Sequence, residues 1–401
     1  TYALRLLLLG GRCKGVRARV LAGSGPVGQV LELGPAAIAP VGFGDDEALV
    51  PWPTLSHPGM RLVQELLLFP DKFRFFALRG PFLTDARGDR LELRFQFESP
   101  DPVPGEPSTS TFQLHCTPAV NLFEATADPI RVDPLISEHL LHPAGHQPAH
   151  AEVHTVRQVR GSRAGRADER VFHPFFAYAH AHDPAALFYN VRRARSPVDN
   201  GLDIYLSVHA QKGGPPVDLS GETLHVDLLC TGRALASAIV KDGSWREPRA
   251  GAVQVKRVTD VSVPVYPPLG QDLYWRLPAH LSLGQASLAD AAALRSLLAL
   301  YDFQAATSRS ASAKIAAIRR VESALATRII KGAPVRGSET LVELDESAFP
   351  IAGEAHLWLS VLDALFADSV GLNSFHELSA RLHPSDARFR WPPRNGNLAL
   401  I

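Results

Sequence analysis

From Tyr2 to Ala48 the apolar residues come in short runs, such as Val16-Arg17-Ala18-Arg19-Val20 and Gln29-Val30-Leu31-Glu32-Leu33, broken by Gly and Pro. That spacing predicts strands with turns between them. Pro58 and Gly59 open a stretch in which Leu62, Val63, Leu66 and Leu67 share one helix face. Pro70 ends it, because proline has no N–H to continue the ladder. Phe73 to Leu78 and Leu91 to Phe97 then alternate like strands buried on one face, with Arg79-Gly80-Pro81 between them. Pro100 to Ser110, rich in Pro, Gly and Ser, reads as a surface loop.

Between Glu152 and Leu277 nearly every apolar run is short and β-branched, with polar loops at 161–170, 194–201 and 211–221, so a second β-rich module is expected. Val263-Pro264-Val265-Tyr266-Pro267-Pro268 is excluded from a sheet interior by its prolines and reads as a linker or an edge. The period then turns helical. Ser287 with Asp290 resembles a capping signal, and Leu288, Ala292, Leu294, Leu298 and Tyr301 follow at helical spacing. Ile315 to Ile330 and Thr340 to Leu344 look extended, Leu357, Val361, Leu362, Leu365 and Phe366 mark one helix face, and Phe375 to Leu382 predicts a further strand. The expected fold class is α+β and multi-domain, with β-rich N-terminal and central modules (1–160 and 161–280) and a C-terminal α/β unit (281–401).

A length of 401 residues suits two or three domains, and 46% apolar with 20% charged residues predicts a folded chain with a substantial core. The 41 basic and 41 acidic residues cancel, which removes the electrostatic footprint of a nucleic-acid binder and favours protein partners. Cys13, Cys116 and Cys230 are few, odd in number and far apart, the usage of a reducing compartment. The most apolar runs, Leu4 to Leu9 and Val63 to Phe69, fall well short of the roughly 20 residues that span a bilayer. Arg5 interrupts the first run and the chain starts at Thr1, so a signal peptide fits poorly and an N-terminally cut fragment fits better.

Candidate chemistry is thin. Gly23-Ser24-Gly25-Pro26-Val27-Gly28 has the letters of a dinucleotide fingerprint, but the strand-like Val30 to Leu33 follows where a helix is required, so a hairpin turn is expected. His142, His146, His150 and His154 recur every four residues, the spacing of a zinc-binding helix face, yet Pro143 and Pro148 break that helix. His180 and His182 offer two ligands where a site needs three or four. No G-x-S-x-G elbow is present. Asp45-Asp46-Glu47 reads as a solvated loop, and Trp52, Trp275 and Trp391 as core anchors or interface residues. Two alternatives remain in view, a metal hydrolase on those histidines and a β-sandwich adhesion or carbohydrate-binding module.

In Cys116-Thr117-Pro118-Ala119-Val120-Asn121-Leu122-Phe123, Pro118 fixes its own φ and pushes Thr117 toward an extended conformation. Val120 and Leu122 would then face one way along a strand and Asn121 the other, with Cys116 a small buried hydrophobe. This segment, with Asp128-Pro129-Ile130, resembles the TssF (VasA, ImpG) family of type VI secretion baseplate subunits. The resemblance begins at Val41-Gly42-Phe43 and Pro58-Gly59-Met60-Arg61-Leu62, and runs through Phe69-Pro70-Asp71-Lys72-Phe73, Glu152-Val153-His154 and Pro174-Phe175-Phe176. It continues through Trp275-Arg276-Leu277, Arg336-Gly337, Leu372-Asn373-Ser374-Phe375 and Trp391-Pro392-Pro393-Arg394. Thr231-Gly232-Arg233 departs from it in lacking an asparagine before the arginine.

The resemblance implies a cytoplasmic scaffold with no catalytic residue, cofactor or metal, working by protein–protein contact without nucleic acid or membrane insertion. It implies TssG, a second TssF copy, TssK through TssG, TssE and the VgrG spike as partners, and a helical N-terminal portion absent before Thr1. Cys116, Thr117, Pro118, Asn121, Phe123, Arg336, Gly337, Asn373, Ser374 and Phe375 are the candidate structural or interface residues.

Overall fold

The computed structural model describes residues 2–10, 12–23, 25–52, 57–80, 88–98, 108–109, 111–163, 169–176, 186–197, 199–210, 218–239, 244–245, 255–270, 275, 288–305, 307–330 and 332–396. The fold is α+β, with several sheets and a C-terminal α/β region. The chain forms two compact units, Thr1–Ala119 together with Gly270–Ile401, and Val120–Leu269. The chain therefore crosses between units inside the Cys116 to Phe123 segment and returns at the end of the proline-rich linker. The 160/161 position expected to divide two modules lies within one strand, Glu152–Ser162.

The first unit opens with α1 (Tyr2–Leu9), where strands were expected. The run holds leucines and no β-branched residue, and leucine is among the better helix formers. β1 (Cys13–Ala22) and β2 (Gly25–Leu33) form the hairpin read from the glycine motif, with Gly23 at the turn in the left-handed region, φ 59°. α2 (Pro58–Leu68) carries Pro at its first turn and stops before Pro70. The strand expected from Phe73 shrinks to Phe76–Leu78, because Pro70–Arg74 coils as a 3-10 turn that buries Lys72 and Phe73. β3 (Arg90–Phe97) pairs with β1, giving the order β2-β1-β3.

The second unit is built on an eight-stranded sheet. Its main strands are β4 (Phe123–Thr126), β5 (Glu152–Ser162), β6 (Arg170–Pro174), β7 (Leu187–Arg195), β8 (Leu202–Ala210) and β9 (Thr223–Thr231). They run in the order β4-β9-β5-β6-β7-β8, all antiparallel neighbours except the parallel pair β6–β7. Alternate residues fill one core, including Val159, Phe172, Ile204, Leu206, Leu224, Val226 and Cys230.

The chain then adds the C-terminal part of the first unit. α3 (Ala291–Tyr301) is capped by Asp290, whose side chain accepts from the Ala293 N–H; the companion residue Ser287 lies outside the described residues. The extended reading of Ile315 to Ile330 loses its first residues to α4 (Arg309–Ala316), capped by Ser308, and β10 (Ile318–Ile330) follows after Ala317. β10 forms a hairpin with β11 (Ala333–Asp345). α5 (Ala352–Asp368) then crosses to β12 (Phe375–His383), parallel to β11, and β13 (Arg388–Arg390) closes the path β10-β11-β12-β13.

α5 is buried on every side from Gly353 to Asp368, as expected for a helix apolar nearly all round. Gly59 lets α2 pack against it. A Cβ there would lie 2.5 Å from Leu365 Cα, and the Gly59 N–H donates to the Asp368 carboxylate, an anion placed at the start of α2.

Candidate assembly determinants

The candidate residues fall into two groups in space. Arg336, Gly337, Ser374 and Phe375 meet: the Ser374 hydroxyl donates to the Arg336 carbonyl at 2.7 Å, and Gly337 pairs with Phe375 where β12 joins β11. Phe375 is fully buried and its ring and carbonyl occupy the space a Gly337 side chain would need. Asn373 is exposed beside them.

The Cys116 to Phe123 segment corrects the expectation drawn for it. Residues 116–122 form no strand, and β4 begins only at Phe123. The cause is its position: it is the chain's crossing into the second unit, and among the described residues no strand pairs with it. Cys116 is partly exposed, and the buried cysteines are Cys13 and Cys230. Thr117 and Asn121 are exposed and Pro118 half-buried. Phe123 stacks on His146 with ring centroids 5.2 Å apart. The Asn121 amide lies over Gly232, where an added Cβ would come within 3.2 Å of both its terminal atoms.

That contact belongs to a built corner of the second unit. Arg233, buried and held at φ 47°, donates to the Ala151 carbonyl at 3.2 Å and pairs with Asp199 and, at 3.4 Å, Asp203. Gly201 leaves room for its guanidinium. Glu152, opposite Thr231 in the sheet, accepts from the Leu202 N–H and the Tyr266 hydroxyl, both at 2.8 Å. Burial raises the Glu152 carboxyl above the usual range, and burial with the Glu152 hydrogen bond raises the Tyr266 phenol. The incoming segment through Asn121 and the outgoing linker through Tyr266 are thus anchored at one corner. Because Asn121 is exposed, Asn121→Ala is expected to cost less than about 1 kcal/mol in denaturant titration of the second unit. A loss of several kcal/mol would show that the amide does more than rest on Gly232.

A further buried network, not foreseen from sequence, joins α2 to the loop before it. Glu65 accepts from the Leu49 N–H at 2.8 Å, from Arg61 at 3.0 Å and from Lys72. Arg61 reaches the carbonyls of Phe43 and Gly44 at 3.2 and 3.1 Å. Asp45-Asp46-Glu47 is a 3-10 turn rather than a solvated loop, since Glu47 accepts from the N–H groups of Gly42 and Gly44 at 2.7 and 2.9 Å. Asp45 and Asp46 stay exposed. Burial lowers the Lys72 pKa against the pull of Glu65.

The other network lies on α5. Trp391 Nε1 donates to Ser360 Oγ at 3.2 Å, Arg394 Nε to Asp363 Oδ2 at 2.9 Å, and Trp391 stacks on His356. Burial, reinforced by Arg5, pushes His356 down to about 4, and burial with Arg394 does the same to His376, also about 4. Burial raises Asp363 to about 6 against the pull of Arg394. On acidification the unfolded chain takes up two histidine protons near pH 6.5 that the folded chain refuses until about 4. The folded chain gains one at Asp363 near 6 that the unfolded chain gains only near 3.9. Between these limits these three groups together leave one net proton favouring unfolding, a contribution that lowers stability by about 1.4 kcal/mol per pH unit on acidification. Asp363→Asn removes the offset and about doubles that slope; equal slopes in denaturant titrations from pH 6 to 4 would refute the assignment.

The histidines at four-residue spacing do not share a helix. His142 bonds Asp128 at 3.1 Å, His146 stacks on Phe123, and His154 lies in β5. Among the described residues no group of three or more His, Cys, Asp or Glu is placed to hold a metal ion. His180 and His182 lie outside the described residues. A groove of about 430 Å³ over the C-terminal sheet is lined by Leu341, Glu343, Arg381, Arg388 and Phe389 among others. Arg381 and Arg388 both pair with Asp386, so that groove does not present free cations.

These features are those of a β-rich protein whose buried charges hold backbone segments in place at the junctions of its elements. Residues 2–398 match the family described as "Type VI secretion system, TssF", and the chain belongs to that family. It is 30% identical over 389 residues to the type VI secretion system component TssF1 of Pseudomonas aeruginosa, covering 89% of this chain and 61% of the relative. The chain thus spans about three fifths of that curated relative's length. A chain of the TssK-TssF-TssG baseplate subcomplex, solved by cryo-electron microscopy, superposes with a TM-score of 0.77 at 25% identity, over 99% of this chain and 72% of that one. A chain of another type VI baseplate complex shares the fold, with a TM-score of 0.54 at 23% identity, over 86% of this chain and 60% of that one.

Proposed function

We propose that the protein is a structural subunit of a type VI secretion baseplate and works through its surfaces rather than by turning over a substrate. The observation that carries this reading is family membership over residues 2–398. The buried networks support it, because Arg61 and Glu65 in the first unit, and Arg233 in the second, hold backbone groups in place. Rigid junctions of this kind suit a scaffold that must hold one geometry until it is released to another. The partners are TssG and TssK, the latter reached through TssG, with a second TssF copy, TssE and the VgrG spike in the same assembly, in the cytoplasm against the inner membrane. The balanced charge fits protein partners over nucleic acid. No described helix is long and apolar enough to cross a membrane. Cys116, Thr117, Pro118, Asn121, Phe123, Arg336, Gly337, Asn373, Ser374 and Phe375 serve as structural or interface residues, Asn373 and Asn121 being exposed enough to touch a partner.

The test is co-purification of the full-length protein with TssG and TssK, paired with imaging of sheath assembly in cells lacking it. Association with TssG and loss of sheaths are expected. Normal sheaths with no TssG association would sink the reading.

A further inference from the structure

β10 is a thirteen-residue strand at the edge of its sheet, with β11 as its one strand neighbour among the described residues. Val321 on it is buried against the core, whereas Leu325 is 93% exposed and Ile329 80%. These three alternate with Ser323 and Thr327 along one face, so the stripe that enters the core at Val321 continues outward uncovered. From Thr327 to Arg336 the hairpin has no third strand among the described residues, because β12 first joins β11 at Gly337. A two-stranded ribbon with an apolar face is marginal in water, and a long open edge pairs readily with another chain.

The direction of the free backbone groups fixes how such pairing can occur. The hairpin closes on Ile330 opposite Ala333 across a two-residue loop, with Gly332 at φ 83°. A loop of that length makes the closing pair a hydrogen-bonded one, and bonded and unbonded pairs alternate from there. Even-numbered residues from Ile330 back to Glu322 therefore bond to β11. The N–H and C=O groups of Val321, Ser323, Leu325, Thr327 and Ile329 point to the open edge. The Thr327 carbonyl also accepts from the Arg328 guanidinium at 3.4 Å.

We propose that this edge pairs antiparallel with the same edge of a second copy of the chain, about a twofold axis at Leu325. In that register Leu325 faces its own counterpart, Ser323 faces Thr327, and Val321 faces Ile329, each pair exchanging the outward backbone bonds. Ile329 of one copy then lies beside Val321 of the other and extends the core stripe. On the opposite face Ala324 meets Ala326, and Glu322 meets Arg328, an attractive pair formed twice by symmetry. Neighbouring registers do not match as well: an axis at Ser323 or Thr327 takes Glu322 away from Arg328 and Val321 away from Ile329. Glu322 is half-exposed and bound to Arg320, a solvent-facing pair that gives way at little cost. Arg328 is already shared between Glu339 and Glu377 on that face. The contact deepens the scaffold reading by placing the second copy, and rests on it only for its setting.

Cross-linking in the full-length protein, with Cys116→Ser to remove the partly exposed native thiol, tests the register. Leu325→Cys puts two thiols across a hydrogen-bonded pair with Cα atoms about 5.5 Å apart, inside the range a disulfide spans. Mild oxidation is expected to give a covalent dimer with Leu325→Cys and not with Ile329→Cys, whose counterpart faces Val321. In sedimentation, Leu325→Pro deletes an outward N–H that the chain's own sheet does not use, and should abolish self-association while the circular dichroism spectrum is kept. Glu322→Lys should weaken it about tenfold. A protein that stays monomeric at every concentration with no Leu325→Cys dimer overturns the proposal, as does equal cross-linking at 325 and 329. Capture of a different chain by Leu325→Cys overturns it too. TssG co-purification is read separately, so failure here and failure of the baseplate assignment are distinguishable.

Discussion

Glu65→Ala is expected to destabilise the first unit by about 3–5 kcal/mol, because it removes the buried acid that two buried cations share. Arg61 and Lys72 are each 1% exposed, and Glu65 lies between them while also holding the Leu49 N–H. Its removal takes the bonded acid from Lys72, leaves Arg61 only the exposed Asp45 at 3.3 Å, and orphans a backbone donor. Lys72, already lowered by burial, would shed its proton more readily still. Arg61 has no such escape, since a guanidinium stays charged. Replacing Arg61, Glu65 and Lys72 together by Met should recover most of the loss, because a buried ion cluster stabilises little over apolar residues of similar size. Denaturant titration followed at a fluorophore in the first unit checks both. A single-variant loss below about 1 kcal/mol would sink the account of a dry ionic node.

This node also shows where sequence reading stops. α2 was legible because Leu62, Val63, Leu66 and Leu67 recur at helical spacing, α5 for the same reason, and β12 as a separate extended run from Phe375 to Leu382. The hairpin at Gly23 followed from what the glycine motif lacked. Glu65 and Lys72 lie in passages that were visible only as separate landmarks, and the charge that joins them arises when the loop 42–49 folds over α2. A signal was available: Arg61 and Glu65 sit four apart beside the apolar stripe, where a solvated face would put them elsewhere. α1 was missed because a short leucine run carries no clear period. The Cys116 to Phe123 segment reads as extended because Pro118 sets its direction of entry, which would put Val120 and Leu122 on one side of a strand. Its conformation is instead set by the crossing between two units, which no local pattern records. The pairing of Arg336-Gly337 with Ser374-Phe375, 38 residues apart at the Ser374–Arg336 hydrogen bond, depended on the parallel β11–β12 register.

Gly337 carries the second large effect. It lies in β11 opposite Ala326 on one side and Phe375 on the other, with an ordinary strand backbone, so conformational freedom is not what the position needs. Space is. A Cβ would sit 2.3 Å from the Phe375 carbonyl oxygen and 2.4 Å from its ring, far inside contact distance. Overpacking of this kind costs about 1–3 kcal/mol where side chains can yield, and more where backbone must move. Gly337→Ala is therefore expected to lose about 3 kcal/mol, and Gly337→Val to prevent β12 from joining the sheet. Adding Phe375→Ala separates the two causes. It removes the ring but leaves the carbonyl, and it opens a cavity where a fully buried aromatic stood. The double variant should be less stable than either single one. Recovery toward the wild-type midpoint would mean that the ring alone excludes a side chain at 337, and that the close approach of the two backbones is not what joins β12 to β11.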